Sequence, residues 1–271
     1  MIDAHAHACG AYLDCESIPK KLEKIGADAV VLCGGEPESR INYPYPLLSL
    51  FWWGEKLAFR FNRFIRAAVK KKNLAEYIDS QNATVCALAK LVPNKIFPAY
   101  WANPVEDNVI EKLKEFYSSH KFYMLKLHQC WNSFDIASKN CEKLITWAEQ
   151  HDMPIFIHLR KPEQAYNFTQ VANRHPNAVF IVAHLIGCHI ISRHLKSENV
   201  YFDLSSPQLY SWLMLRKTYK RYGAARLIFG TDTPYGIGNH RVILRRLRWL
   251  KISEEDMALI TEGNIKRLLK I

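Results

Sequence analysis

Short apolar runs that end in a histidine or an aspartate recur along this chain, and they restrict its fold more than any other feature. Three of them are Pro154–His158, Ala178–His184 and Arg226–Asp232. Nearly continuous apolar runs are typical of parallel strands that are covered on both faces. Helical patterns separate the runs, and this alternation is typical of a parallel α/β barrel. Such barrels gather their chemistry at the carboxyl ends of the strands, where these polar residues stand.

The alternation can be followed along the whole chain. The predicted strands are Met1–His7, Ala27–Cys33, Ile96–Trp101, Phe122–His128, Pro154–His158, Ala178–His184, Val200–Leu204 and Arg226–Asp232. Helices are predicted between and after them, at 17–25, 105–120, 140–151, 162–174, 188–197, 207–222, 239–250 and 253–269. A length of 271 residues and a hydrophobic content of 49% are consistent with a single domain over residues 1–271.

Residues 36–94 are longer than an ordinary crossover between two strands. Three prolines, Pro37, Pro44 and Pro46, interrupt the first part, and two helices are predicted after them at about 47–71 and 74–92. We therefore expect a helical insertion around 36–94 that caps the mouth of the active site.

The first predicted strand carries two histidines, His5 and His7, whose side chains lie on the same side of the strand. Neutral imidazole is a common ligand of Zn²⁺, so this strand alone could supply half of a metal shell. The His-x-His spacing by itself is weak evidence, because solvated or buried structural histidines are more common. The other polar strand ends strengthen the metal interpretation.

These residues, together with Phe229–Pro234 and Glu262–Leu269, make the sequence similar to the amidohydrolase superfamily, specifically its amidohydrolase-2 branch of metal-dependent hydrolases and decarboxylases. The resemblance runs nearly end to end. It implies an α/β fold of the distorted TIM (β/α)₈ barrel type. It also implies one divalent metal with His184 beside it as an acid/base or polarising group, the metal ligands being His5, His7, His158 and Asp232.

This ligand set would leave the ion an open position for water, whose pKa falls from about 16 to about 7 on a catalytic metal. Asp232 would be both ligand and catalytic base, and His184 would orient the water or polarise the scissile carbonyl. Alternatively, Asp232 caps the turn before Thr233 and His184 is a buried structural histidine. We expect Zn²⁺, although Mn²⁺, Co²⁺ or Ni²⁺ fit the same ligands.

The fourth predicted strand leaves the number of metals open. Lys126 and His128 share a face, so both point into the pocket if that face is inward. The resemblance implies either a carboxylated Lys126 that bridges two metals or a lysine that contacts the substrate beside a single metal, and we favour one metal. Arg160 would bind a substrate carboxylate through its planar fork, or would be an exposed loop charge. Asp203 is either a pocket residue or a structural one.

The main functional hypothesis is a metal-dependent hydrolase in which activated water cleaves an amide, ester or lactone of a small substrate. The first alternative is a nonoxidative decarboxylase of an unsaturated or aromatic acid, with Arg160 or Lys126 as a second cationic anchor. The alternative of another class is a binding or scaffold barrel without catalysis, and a complete set of metal ligands argues against it.

A net charge of +11 favours anionic ligands, including an anionic substrate. The basic stretches are interpreted as solvated outer faces of barrel helices, and their members are Arg60, Arg63, Arg66, Lys70, Lys71 and Lys72 in one and Arg241, Arg245, Arg246 and Arg248 in the other. For residues 47–72, a lid, a homo-oligomer contact and an amphipathic helix on a membrane surface are alternatives. No nucleic-acid-binding motif accompanies the charge, so we expect no nucleic-acid partner.

The seven cysteines form an odd set without a Cys-x-x-Cys pair, which favours reduced thiols over a disulfide framework. We expect no signal peptide before Met1. The most apolar stretch, Leu47–Trp53, is followed by charged residues and is far shorter than the roughly 20 residues of a membrane-spanning helix. We therefore expect a cytoplasmic protein without a transmembrane segment.

Overall fold

A computed structural model describes residues 1–45 and 54–271 of the chain. Eight parallel strands follow one another around a barrel in sequence order. Their bounds are β1 Ile2–His7, β2 Ala29–Cys33, β3 Ile96–Trp101, β4 Met124–His128, β5 Ile155–His158, β6 Phe180–Val182, β7 Val200–Asp203 and β8 Leu227–Ile228. The predicted α/β barrel is therefore confirmed.

The first and last strands meet through backbone hydrogen bonds, which nearly closes the barrel. The Ala4 amide donates to the Phe229 carbonyl at 3.1 Å, and the His7 amide donates to the Thr233 carbonyl at 2.8 Å. Because β8 has only two residues, much of this contact is made by the loop that follows β8. That loop is thereby held against the histidine-bearing end of β1.

Helices surround the barrel. Their bounds are α1 Ser17–Ile25, α2 Gly54–Lys71, α3 Ile78–Leu91, α4 Val109–Ser119, α5 Lys139–Gln150, α6 Pro162–Arg174, α7 Cys188–His194, α8 Trp212–Tyr222, α9 Asn239–Trp249, α10 Glu254–Ala258 and α11 Asn264–Leu269. In α1, Ile18, Leu22 and Ile25 form the buried face at helical spacing, and Gly26 ends the helix with a left-handed φ of 69°. No helix within the described ranges is long and apolar enough to cross a bilayer.

The pleat of each strand separates two layers of the core. In β4, Leu125 and Leu127 pack with residues of the surrounding helices, whereas Met124 packs inside the barrel with Phe156 of β5. Lys126 lies on the same face of β4 as Met124, and it is completely buried. The face of β4 that carries Lys126, whose direction the sequence left open, is therefore the inward one.

The first seven positions of the helix predicted at 47–71 lie outside the described residues, and the described part, α2, ends at Lys71 as predicted. Two other predicted helices differ from their predicted bounds. The helix predicted at 105–120 begins at Val109, because the Asn103 side chain accepts from the Val105 amide and holds a turn there. The segment 207–222 divides into a short 3₁₀ turn and α8, whose first turn is capped by Ser211.

Candidate metal centre

The two histidines of β1 point towards the carboxylate of Asp232. Nε2 of His5 lies 3.1 Å from Oδ1 of Asp232, and Nε2 of His7 lies 3.4 Å from the same oxygen. Nδ1 of His7 is 2.8 Å from the Gly34 carbonyl, which can only accept a hydrogen bond. When the His7 ring is neutral, as a metal ligand must be, its proton therefore lies on Nδ1 and the lone pair of Nε2 faces the centre.

Asp232 lies in the loop after β8, not at a strand end as predicted, because β8 ends at Ile228. Its backbone has a left-handed φ of 57°, which an aspartate tolerates better than most residues. Its Oδ2 accepts a hydrogen bond from the Ser206 hydroxyl. Burial raises the pKa of the Asp232 carboxyl. The nearby His184 and the bonded β1 histidines lower this pKa by a larger amount, so it lies well below its ordinary value.

His184 also lies beyond its predicted strand, because β6 ends at Val182 and a 3₁₀ turn follows. Nδ1 of His184 is 3.2 Å from the Ser205 carbonyl and 3.3 Å from Oδ2 of Asp203, and both are acceptors. The proton of the neutral ring therefore lies on Nδ1, and Nε2 faces Oδ2 of Asp232 at 3.8 Å. Asp203 thus orients His184. These contacts support the structural role of Asp203 over a role as a pocket residue.

His128 and His158 end the neighbouring strands β4 and β5 in register, and their rings stack with centroids 4.0 Å apart. Nδ1 of His128 accepts a hydrogen bond from the Cys130 amide at 3.1 Å. The neutral His128 ring therefore carries its proton on Nε2 and acts as a donor more readily than as a ligand. Burial, followed by the neighbouring cationic groups, holds the pKa of both histidines well below the usual value.

Lys126 is buried beside His5, with Nζ 3.2 Å from Nε2 of His5 and 4.0 Å from the ring centroid of Phe156. Burial lowers the pKa of Lys126. A residue not predicted to matter, Cys33 at the end of β2, lies with Sγ 3.4 Å from Nδ1 of His7. Burial raises the thiol pKa, but His7 and Lys126 outweigh it and hold the pKa of Cys33 well below its ordinary value.

These side chains fit a divalent metal. Within the described residues, one group of donor atoms that all lie within 4.8 Å of one another comes from His5, His184 and Asp232; the others come from His5, His7 and Cys33, and from His128, Cys130 and His158. Nδ1 of His5 is buried and has no hydrogen-bond partner among the described residues. Imidazole, carboxylate and thiolate are the donors that Zn²⁺ and similar ions take in proteins.

The structure places the predicted ligands around one cavity but divides them between donor groups. His158 falls in a different donor group from His5 and Asp232, although its ring lies 5.2 Å from that of His184. His184, predicted to stand beside the metal, shares a donor group with two predicted ligands.

The cavity over this centre has a volume of about 180 Å³ and a largely aromatic wall. The rings of Tyr43 and Tyr235 stack at 5.5 Å, and Phe61 and Lys72 of the insertion segment also line the cavity. Arg160 is not among the described lining residues, and its backbone amide donates to Gln129 at 3.0 Å. The insertion thus contributes to the wall of the cavity.

Two of the basic residues interpreted as solvated make contacts that this interpretation did not predict, although the side chain of Lys72 is 41% exposed. Arg246 is buried and donates to the carbonyls of Pro207 and Tyr210 at 2.7 and 2.8 Å. That prediction was wrong because the last turn of the 207–210 segment needs a donor for its carbonyls. Lys72 lines the cavity and forms an ion pair with Glu36 at 2.5 Å.

Sequence reasoning also missed Asp3, which precedes His5 on the same face of β1. Its oxygens accept hydrogen bonds from the Thr231 amide at 2.7 Å, the Thr231 hydroxyl at 2.6 Å and the Tyr12 hydroxyl at 3.0 Å. The alternation Asp3, His5, His7 places all three inward, so the pattern itself contained the signal. Ser206, in contrast, gave no sequence signal, because only the fold brings it to Asp232.

Comparison with known proteins identifies the family to which this sequence is similar. The family described as amidohydrolase matches residues 2–271. No curated protein matches the chain. Many solved structures have similar folds at low sequence identity, and three of them follow.

A probable 2-pyrone-4,6-dicarboxylic acid hydrolase from Acinetobacter baumannii is 11% identical with a TM-score of 0.68, covering 100% of this chain and 99% of its own. A 2,6-dihydroxybenzoate decarboxylase from Rhizobium is 15% identical with a TM-score of 0.66, covering 93% and 87%. A 4-oxalomesaconate hydratase from Rhodopseudomonas palustris is 14% identical with a TM-score of 0.65, covering 100% and 95%. With a family match over nearly its whole length, the chain belongs to the amidohydrolase family.

Proposed function

We propose that this chain, as one catalytic domain over residues 1–271, is a metal-dependent hydrolase that cleaves an amide, ester or lactone of a small substrate. The observation that carries the proposal is the convergence of three histidines on one carboxylate. His5 and His7 face Oδ1 of Asp232 at 3.1 and 3.4 Å, and His184 faces Oδ2 at 3.8 Å. All these side chains line the same cavity.

The residues that would hold the ion are His5, His7, His158 and Asp232. A bound divalent metal lowers the pKa of water and polarises a carbonyl oxygen. We propose Zn²⁺, with Mn²⁺, Co²⁺ or Ni²⁺ as alternatives. The alternative is a second ion beside His128 and His158 with a carboxylated Lys126. The molar ratio of metal to protein would distinguish one ion from two.

Asp232 and His184 would carry the proton transfers. The ionised Asp232 carboxylate, oriented by the Ser206 hydroxyl, takes a proton from the attacking water and delivers it to the leaving group. His184 keeps its proton on Nδ1, where Asp203 and the Ser205 carbonyl hold it, and presents Nε2 to the reacting atoms. This arrangement fixes the ring without using its cavity-facing nitrogen.

The cavity wall supports a small, flat and largely apolar substrate. Tyr43 and Tyr45 stack with an interplanar angle of 15°, and Tyr45 lies parallel to Tyr235 within 13°. Aromatic walls bury planar ligands well, and a few polar groups then orient them. The seven free thiols support a reducing, cytoplasmic environment.

Lys72 supports decarboxylation of an aromatic or unsaturated acid as a second candidate. Its side chain lines the cavity and is part exposed, so it could anchor a substrate carboxylate by exchange with Glu36. The predicted anchors Arg160 and Lys126 are less suitable, because neither is among the described residues that line the cavity.

The test is metal content and product analysis on protein purified without chelator. A panel of esters, lactones, amides and aromatic acids is followed for hydrolysis products by chromatography and for CO₂, and CO₂ without hydrolysis would select the second candidate. We expect His158→Ala to lose metal and Asp232→Asn to lose activity by about 10²–10⁴-fold. The exposed His194→Ala is the matched control and should keep both. Full metal and activity in His158→Ala would show that the assigned roles are wrong.

A further inference from the structure

A second cavity, of about 540 Å³, lies against the opposite side of the loop that carries Asp232. Thr233 and Gly236 of this loop line the second cavity, whereas Asp232 and Tyr235 line the metal cavity. We propose that the second cavity is a binding site for a phosphate group, either free phosphate or the phosphate of a small phosphorylated molecule. We call it the α1–α9 groove, because these two helices form its walls.

The charge of the groove is one-sided. The cations that line it are Lys20, Lys21, Lys24 and Arg241, and none of the described lining residues is acidic. Within residues 1–45 and 54–271, none of the four forms an ion pair with a carboxylate. Four like charges around one hollow repel one another unless an anion lies among them. The groove therefore presents a concentrated positive field to a dianion.

The first turn of α9 opens into the same groove. Gly238, the N-cap residue, has a left-handed φ of 74° and offers no side chain to the first amides of the helix. A Cβ at Gly238 would contact nothing within 4 Å, so the approach to this turn is open. Free amides and the positive end of the helix dipole make such a terminus a binding site for phosphate.

His240 supplies an independent observation that a ligand belongs here. Its side chain lines the groove and is 8% exposed, and its buried Nδ1 has no hydrogen-bond partner among the described residues. A buried imidazole nitrogen without a partner costs stability. An anion in the groove would lie against the ring of His240, together with the lysines of α1 and Arg241.

A phosphate group fits this set of donors better than a single carboxylate. Cations from two helices, helix amides and an imidazole converge from different directions, and a tetrahedral dianion with several acceptor oxygens can use them together. The volume of the groove lies within the range of small-molecule sites, so a substituent on the phosphate can be accommodated.

The experiment is isothermal titration of the full-length protein with inorganic phosphate, ribose 5-phosphate and ribose. The double variant Lys24→Gln/Arg241→Gln removes two groove cations, and we expect it to weaken phosphate binding by at least about tenfold. Arg245→Gln removes the same charge from the exposed face of α9, outside the groove, and is expected to bind within about twofold of the native protein. Circular dichroism melts of all three proteins check that the fold is retained.

The outcomes are separable. Equal affinity for inorganic phosphate and ribose 5-phosphate assigns the site to free phosphate, and tighter binding of ribose 5-phosphate assigns it to phosphorylated molecules. Phosphate binding that is unchanged in the double variant belongs elsewhere, for example at the metal centre, and overturns the proposal. No phosphate binding to the native protein overturns it as well. A folded His240→Phe variant with native affinity would contradict the part assigned to His240.

Discussion

At the scale of single residues, the backbone of the candidate metal centre is unusual in the same way at three points. His184, Ser206 and Asp232 all have positive φ values, of 54°, 51° and 57°. Non-glycine residues in this region cost about 1–3 kcal/mol when the surrounding structure imposes it. The hydrogen bonds of Asp203 to His184 and of Ser206 to Asp232 are part of what holds these conformations. Such strain is typical of functional sites.

Gly230 permits the close approach of the loop after β8 to His5. A Cβ at this position would lie 2.7 Å from Oδ1 of Asp203 and 3.1 Å from the His5 backbone nitrogen. We expect Gly230→Ala to lower the free energy of unfolding by about 1–3 kcal/mol and to reduce metal content, because both neighbours are fixed. Urea denaturation and metal analysis of the purified variant measure these effects.

The matched control is Gly263→Ala, at a helical position where the nearest obstacle is the flexible end of the Leu259 side chain, 3.3 Å away. Alanine is the better helix former by about 1 kcal/mol, so this variant should be neutral or stabilised. Equal destabilisation by the two substitutions would contradict the argument from close approach.

His240 predicts a specific dependence of stability on pH. Burial, followed by the positive charges of Lys21, Arg241 and Lys24, lowers the pKa of His240 from 6.5 to about 4. Between these values the unfolded chain binds a proton that the folded protein does not. The contribution of neutral His240 is therefore complete above pH 6.5 and is lost as the pH falls towards 4.

Denaturation curves between pH 7 and pH 4 test this prediction. For His240→Gln we expect a shallower loss of stability with falling pH, the difference reaching at most about 1.4 kcal/mol per pH unit. Parallel curves for the two proteins would show that His240 does not titrate in this way.

At the scale of elements, the buried side chain of Asn62 joins α2 to the segment after β5, beside the candidate metal centre. Nδ2 of Asn62 donates to the carbonyls of Leu159 and Arg160, both at 3.0 Å, directly after His158 at the end of β5. Asn62 is fully buried. The same helix contributes Phe61 and Val69 to the cavity wall. The anchor therefore couples the position of the wall to a predicted metal ligand.

We expect Asn62→Ala to destabilise the protein by about 1–3 kcal/mol, because two buried carbonyls lose their donor. Amide hydrogen exchange should accelerate in residues 58–71 more than in β4 and β5. Arg63→Ala, at the adjacent exposed position, is the control and should change stability by less than about 0.5 kcal/mol. Uniform acceleration throughout the chain would contradict a local anchor.

At the scale of the whole molecule, Asp3 joins the two ends of the barrel. It accepts two hydrogen bonds from Thr231 after β8 and one from Tyr12 after β1, besides one from the amide of His5 in its own strand. Burial raises the pKa of this carboxyl, and the hydrogen bonds oppose that rise. The segments that it joins carry His5 and Asp232, so ring closure and the metal centre depend on the same contact.

We expect Asp3→Asn to lower the free energy of unfolding by about 1–3 kcal/mol and to weaken metal retention, because an amide nitrogen replaces one acceptor oxygen. Tyr12→Phe removes a single donor and should cost about 1 kcal/mol without loss of metal. Thermal melts and dialysis against a weak chelator measure the two effects. Asp3→Asn with native stability and metal affinity would exclude this role for Asp3.

The sequence alone determined the barrel and most of the residues in its mouth. Strands and helices follow local patterns of apolar and polar residues. For this reason β3, α1 and α6 have the predicted bounds. The histidines at the strand ends could also be identified from the sequence, and they are His5, His7, His128 and His158. Resemblance to the amidohydrolase family then gave them roles, and the family match confirms that membership.

Only the tertiary structure decided which atoms meet. His184 and Asp232 reach the centre from turns beyond β6 and β8, because short strands end before the barrel mouth and left-handed residues redirect the chain. Lys72, Arg246 and the α1–α9 groove were hidden in stretches that looked like uniform basic surface. A charge pattern shows which face of a helix carries the basic residues. It does not show which segments pack against that face, because those segments come from distant parts of the chain.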